Sequence, residues 1–183
     1  WVTLVMHLAP AQYSGHKVCK NYSQCATTCL YHQGRGRFPQ VQAARIKKTK
    51  RLLEYPEQSI NELSAELCYV IERCKGEDDP KVCVRLNCLS DIAWEHKTFD
   101  CLDGKTIFDA YPNVQFYDYT KWKWGTRDAW KNPPLNYHLT YSHDGTDKDI
   151  DHCKKVLANG HNVAVTLQKA EHTKFTERVI GGN

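Results

Sequence analysis

The spacing of apolar positions changes period along the chain. From Pro56 to Cys74, Ile60, Leu63, Leu67, Val70, Ile71 and Cys74 recur every three or four residues, and Gly76 stands beyond them, which predicts a helix. A second helical run covers Gln40 to Glu54 and stops before Pro56. Val2 to Ala9 is a short apolar stretch ended by Pro10, the pattern of a strand followed by a long loop. In Lys81 to Asn87, Val82, Val84 and Leu86 alternate with Cys83 and Arg85, as in a second strand. A short helix ends at Tyr111-Pro112, and Val114 to Thr120, Tyr137 to Tyr141 and Asn162 to Leu167 read as further strands. Between the last two, Thr146 with Asp149 three residues on resembles a capping box, opening a helix with Ile150, Cys153, Val156 and Leu157 as its apolar stripe.

Strands separated by helices or long crossovers predict an α/β fold, a mostly parallel sheet with covering helices. Crossover handedness leaves a doubly wound sheet or a partial (β/α) barrel, and the partial barrel is the preferred form. The 183 residues fit a single α/β domain over 1–183. Opening at Trp1 without an initiator Met and ending on Gly181-Gly182-Asn183, the chain reads as an excerpt of a longer protein that continues past 183. No apolar run reaches eighteen residues, so no membrane partner is expected.

Charge alters the picture at one end. Residues 1–53 hold nine basic side chains and no acidic one, so the remainder of a chain of net charge +4 is acidic overall. Arg35, Arg37, Arg45, Lys47, Lys48 and Lys50 offer a basic face for an anion, nucleic acid or a host protein; the alternative is a solvated helix surface. Gly34-Arg35-Gly36-Arg37 is too short for a dinucleotide fingerprint but could hold an anion at the start of the following helix.

The nine cysteines are an odd number, and several sit within helical or apolar patterns, as reduced thiols do in an intracellular compartment. Three lie within eleven residues of one loop: Cys19, Cys25 and Cys29. Thiolates are the ligands that soft metals prefer, and close spacing in a loop brings them together at low entropic cost. Lys17, Lys20, Arg35 and Arg37 flank the loop and would lower thiol pKa values. The expectation is an iron–sulfur cluster, of the 4Fe-4S type, with zinc as the alternative. Cys88 is the first candidate for a fourth ligand, ahead of Cys101 and His16.

In parallel α/β folds the functional crevice lies beyond the carboxyl ends of the strands. Arg85, Asn87, Asp91, Asp118 and Lys121 stand at those ends and form the expected pocket, with Arg85 paired to Asp91 or Asp118. Trp122, Trp124 and Trp130 interleave with Lys121, Lys123 and Arg127, either as a single-stranded nucleic-acid platform or as a loop that packs its own tryptophans.

Several blocks of the chain resemble one bacteriophage family, the Gene product 88 proteins. They are Val18-Cys19 through Cys25 and Cys29 to Gly34-Arg35-Gly36; Val41-Gln42-Ala43-Ala44-Arg45; Val84-Arg85-Leu86-Asn87 with Ser90-Asp91-Ile92; Pro112-Asn113-Val114-Gln115-Phe116; and Asn136-Tyr137-His138-Leu139. The resemblance implies a phage origin, a setting in the host cytoplasm and a further C-terminal segment. The cysteine loop after a first strand is also similar to that of radical S-adenosylmethionine enzymes, for which Asn87 and Asp91 would be the cofactor contacts. It departs from them in spacing, and Leu86-Asn87-Cys88 stands where those enzymes carry Gly-Gly-Glu.

Two functional readings follow. One is an iron–sulfur protein, in its most specific form a radical-type or other cluster enzyme. The other is a non-enzymatic module that grips nucleic acid or a host protein and holds its metal for structure alone.

Overall fold

A computed structural model describes residues 1–19, 29–76 and 81–165. Five strands, β1 (Val2–Val5), β2 (Val82–Arg85), β5 (Gln115–Thr120), β6 (Tyr137–Ser142) and β7 (Asn162–Ala164), form one parallel sheet in the order β1-β2-β5-β6-β7. Helix α1 (Ala11–Ser14), α2 (Pro39–Glu54) and α3 (Pro56–Arg73) lie between β1 and β2, α4 (Ile107–Ala110) precedes β5, and α5 (Ile150–Ala158) joins β6 to β7. The fold is the expected α/β parallel sheet with flanking helices. Strand order follows chain order without reversal, so among the described strands the doubly wound alternative is gone. The sheet is open, with β1 and β7 at its edges and no closed barrel.

One face of the sheet is the core. Leu4, Val84, Phe116 and Tyr137 stand in register across four strands, and Asp118, Leu139, Thr120 and Tyr141 continue the same face. Helix residues Leu52, Ile60, Leu67, Cys153 and Val156 pack into the same core, and removing so much apolar surface from water is the main force holding the layers together. The opposite face carries Thr3, Arg85, Tyr117, Tyr119, His138 and Thr140 and is partly exposed, unlike most parallel sheets.

Elements shorten where a side chain takes a backbone group out of the ladder. The first strand stops at Val5, and the Ala9 N–H goes to the Thr49 hydroxyl on α2 at 2.7 Å. The second stops at Arg85, and the Asn87 N–H goes to Asp118 Oδ1 at 2.7 Å. A small antiparallel pair, β3 (Thr98–Phe99) with β4 (Lys105–Thr106), was not expected. Its turn is Asp103-Gly104, both residues at positive φ, a conformation that glycine adopts freely and Asp tolerates. The capping box at Thr146 is not formed. Asp149 turns inward to accept from the Tyr141 hydroxyl, while Asp144 takes the Thr146 N–H and hydroxyl. The last two residues of the expected strand Asn162 to Leu167 lie outside the described residues. Among the described residues no helix is long and apolar enough to cross a membrane.

Candidate metal centre and its surroundings

After β1 the chain makes α1 and returns at Val18-Cys19 to lie beside the segment that follows β2. The Asp91 N–H donates to the Val18 carbonyl at 2.8 Å, and Cys19 pairs with Asp91 in a parallel bridge. The Cys19 thiol donates to the Leu89 carbonyl at 3.5 Å. Cys29 starts the turn Leu30–His32 and packs with Cys88 and Ile46 against Ala9, Tyr31 and Leu89. Cys19 thus touches the Leu89 carbonyl and Cys29 and Cys88 pack on the cluster that contains Leu89, but among the described residues these three sulfurs do not lie within 4.8 Å of one another. Cys29 and Cys88 are free thiols. Cys25 lies outside the described residues. Of the other candidates, Cys101 donates its backbone N–H to Glu57 at the start of α3, and His16 faces Glu54 at 3.9 Å.

Asn87, Asp91 and Asp118 come together on the core face, held by a buried network. Asn87 Oδ1 accepts from the Ser90 hydroxyl, the Ile92 N–H and the Trp94 indole, and its Nδ2 donates to Asp118 and the Ile92 carbonyl. Asp118 also accepts from the Tyr137 hydroxyl at 3.2 Å. Asp91 accepts from the Thr120 hydroxyl and the Lys121 N–H. The Lys121 ammonium fastens the end of β6 through the Ser142 and His143 carbonyls.

The cation in this network is Arg127, not Arg85. Arg127 is fully buried, meets both Glu95 oxygens at 2.7 and 2.8 Å, and reaches Asp91 at 3.3 Å and the Tyr137 hydroxyl at 2.9 Å. Alternation along β2 puts Arg85 on the other face, with its guanidinium 4.7 Å from the centre of the Tyr119 ring. The sequence marks Arg127 only as a basic residue of the tryptophan loop, because a loop position has no periodicity that would point it inward. Burial pushes the Asp118 carboxyl up to about 7, and raises Asp91 as well.

The tryptophan loop packs on its own fold. Trp130 is buried and donates to the Trp122 carbonyl, while the Trp122 indole donates to the Asp91 carbonyl. Of the basic set, Arg35, Arg37, Lys47, Lys48 and Lys50 are exposed, while Arg45 is half-buried against Tyr31. Lys47 and Lys50 flank a surface groove between α2 and α3, so the basic residues spread around α2 and do not form one stripe.

Among the described residues the one group of three such ligands within 4.8 Å of one another is His143, Asp149 and Cys153, in which His143 and Asp149 already have partners. The Gly145 N–H donates to His143 Nδ1, leaving Nε2 to donate to the Thr146 carbonyl. Asp149 holds the Lys123 ammonium, which would repel a cation. Burial pushes the Cys153 thiol up to about 12.

No curated protein and no solved structure matches the chain. The family model described as Gene product 88 matches residues 2–182. With nearly every residue covered, the chain belongs to the Gene product 88 family, the bacteriophage family that its sequence blocks resemble.

Proposed function

We propose that this chain is an iron–sulfur protein whose cluster is held by Cys19, Cys25 and Cys29, with Cys88 as the fourth ligand. What supports the reading is that Cys19, whose thiol donates to the Leu89 carbonyl, and Cys29 and Cys88, which pack on the cluster that contains Leu89, border one segment beyond the carboxyl ends of β1 and β2. The chemistry of the donor set fits the group, since soft thiolates favour a cluster. Such a cluster supplies one-electron redox chemistry. The protein's contribution is placement: the Cys19–Asp91 bridge and the Asn87–Asp118 bonds fix the segment that carries Cys88. A phage protein working in the host cytoplasm would keep these thiols reduced.

Anaerobic reconstitution with iron and sulfide tests the reading on wild type and on Cys19→Ser, Cys25→Ser, Cys29→Ser and Cys88→Ser. Loss of the visible charge-transfer band in the first three is expected. Retention in Cys88→Ser would leave one iron open, and a spectral change on adding S-adenosylmethionine would then support the radical-type form. A wild type that stays colourless contradicts the proposal. Nucleic acid or a host protein would meet the exposed Arg35, Arg37, Lys47, Lys48 and Lys50, and steeply salt-dependent binding is the sign of that contact.

A further inference from the structure

Beside the cysteines stands a second cluster with an unusual property: its polar atoms are buried and unanswered. His7 Nδ1, the Tyr31 hydroxyl, Arg45 Nη1 and Arg85 Nε are all shielded from solvent without a hydrogen-bond partner. Buried polar groups in native proteins are nearly always paired, because leaving one unpaired forfeits its hydration for nothing. An isolated exception is tolerable; four together are a pattern.

They are neighbours by several measures. The Arg45 guanidinium lies 5.8 Å from the centre of the Tyr31 ring. The segment that carries His7 runs between the two arginines: the Met6 N–H donates to the Arg85 carbonyl at 2.9 Å, and the Ala9 N–H donates to the Thr49 hydroxyl, which donates to the Arg45 carbonyl at 2.8 Å. Cys88 feels both Arg85 and Arg45, and Tyr31 packs with Cys88 and Cys29. Gly36 shapes the same place: a Cβ there would come within 2.8 Å of Arg45 Nη1 and 2.9 Å of the Tyr31 carbonyl oxygen. Glycine at 36 lets the guanidinium lie against the turn.

The chemistry of the set is one-sided. Two guanidinium N–H groups and a phenol O–H are donors, and the imidazole supplies a fourth polar atom that donates or accepts according to tautomer. No salt bridge engages Arg45 or Arg85 among the described residues. Arginine donors in this state match an oxyanion, whose oxygens accept several such bonds at once. His7, Arg45 and Arg85 each keep partial exposure, so the cluster is reachable from solvent.

We infer that His7, Tyr31, Arg45 and Arg85 form a binding site for the carboxylate or phosphate end of a small molecule. The site is built from β2, α2 and the segments after β1 and before α2, and it does not depend on the metal proposal.

The test is calorimetric titration of the whole chain with inorganic phosphate and, separately, with acetate, at constant chloride. Saturable one-to-one uptake of either anion is expected, and which one binds assigns the ligand chemistry. Arg45→Gln and Arg85→Gln should each weaken it by about tenfold or more, whereas Lys105→Gln, an exposed charge on β4, should leave it unchanged. Tyr31→Phe removes only the hydroxyl and keeps the ring on Tyr13, so it tests the site if an arginine variant fails to fold. Uptake retained in Cys25→Ser supports a site made by the protein. Uptake lost with the metal in that variant, no saturable uptake in wild type, or equal uptake in the arginine variants would overturn the inference.

Discussion

The network around Asp118 and the cluster around Arg45 lie at the same end of the sheet, where Asn87 bonds Asp118 and the next residue, Cys88, packs on the cluster that contains Tyr31. In the first, Arg127, Asp91, Asn87 and Asp118 make many bonds and complete one another. In the second, four polar atoms wait for a partner. A satisfied buried network specifies one arrangement of the chain, while an unsatisfied one lowers stability and is retained where a ligand completes it. The difference separates scaffold from binding surface by hydrogen bonds alone, with both made from similar residue types.

Breaking the scaffold should have the largest effect. Arg127→Gln leaves Asp91 and Glu95 buried without their cation, and a loss of about 3–5 kcal/mol in urea unfolding is expected. An unchanged midpoint would mean that the network contributes little. Next comes pH. The folded Asp118 keeps its proton up to about pH 7, whereas an unfolded Asp gives it up near 3.8. Its contribution to stability is therefore greatest below the lower value and declines as pH rises through that window, with Asp91 acting in the same direction. Unfolding free energies measured across pH 4–7 should show this fall, and Asp118→Asn should flatten it.

The binding cluster should answer differently. Arg45→Gln and Arg85→Gln should shift unfolding by no more than about 0.5 kcal/mol in the absence of ligand, because neither guanidinium has an ionic partner to abandon. A loss as large as that of Arg127→Gln would erase the contrast. The smallest effect belongs to His143, Asp149 and Cys153, where the Lys123 ammonium already sits on Asp149. Zinc added to wild type and to Cys153→Ala should move their melting temperatures equally; a shift confined to wild type would make that group a metal site.

Much of the frame was legible in the chain. Leu63, Leu67 and Ile71 carried the period of α3, and the β-rich runs marked the strands of the parallel sheet. Strand ends were harder, because Asn87 and Ala9 leave the ladder for side chains that lie far off in sequence. The β3–β4 pair is too short to show alternation, although Asp103-Gly104 was a usable turn signal. Asn87, Asp91 and Asp118 were legible as a group, but the cation among them was not: Arg127 reaches Asp91 across 36 positions from within a tryptophan-rich loop. His7 and Tyr31 drew no attention, since a histidine after an apolar strand and a tyrosine in a loop look ordinary until their missing partners are seen.

The central claim is that sulfur ligands around Leu89 hold iron, and the most direct measurement is the content of iron and acid-labile sulfide per chain after anaerobic purification. The account predicts about three to four of each, falling together when Cys25 becomes serine. A folded wild type free of both, or one whose Cys19 and Cys29 are recovered in disulfides, would contradict it.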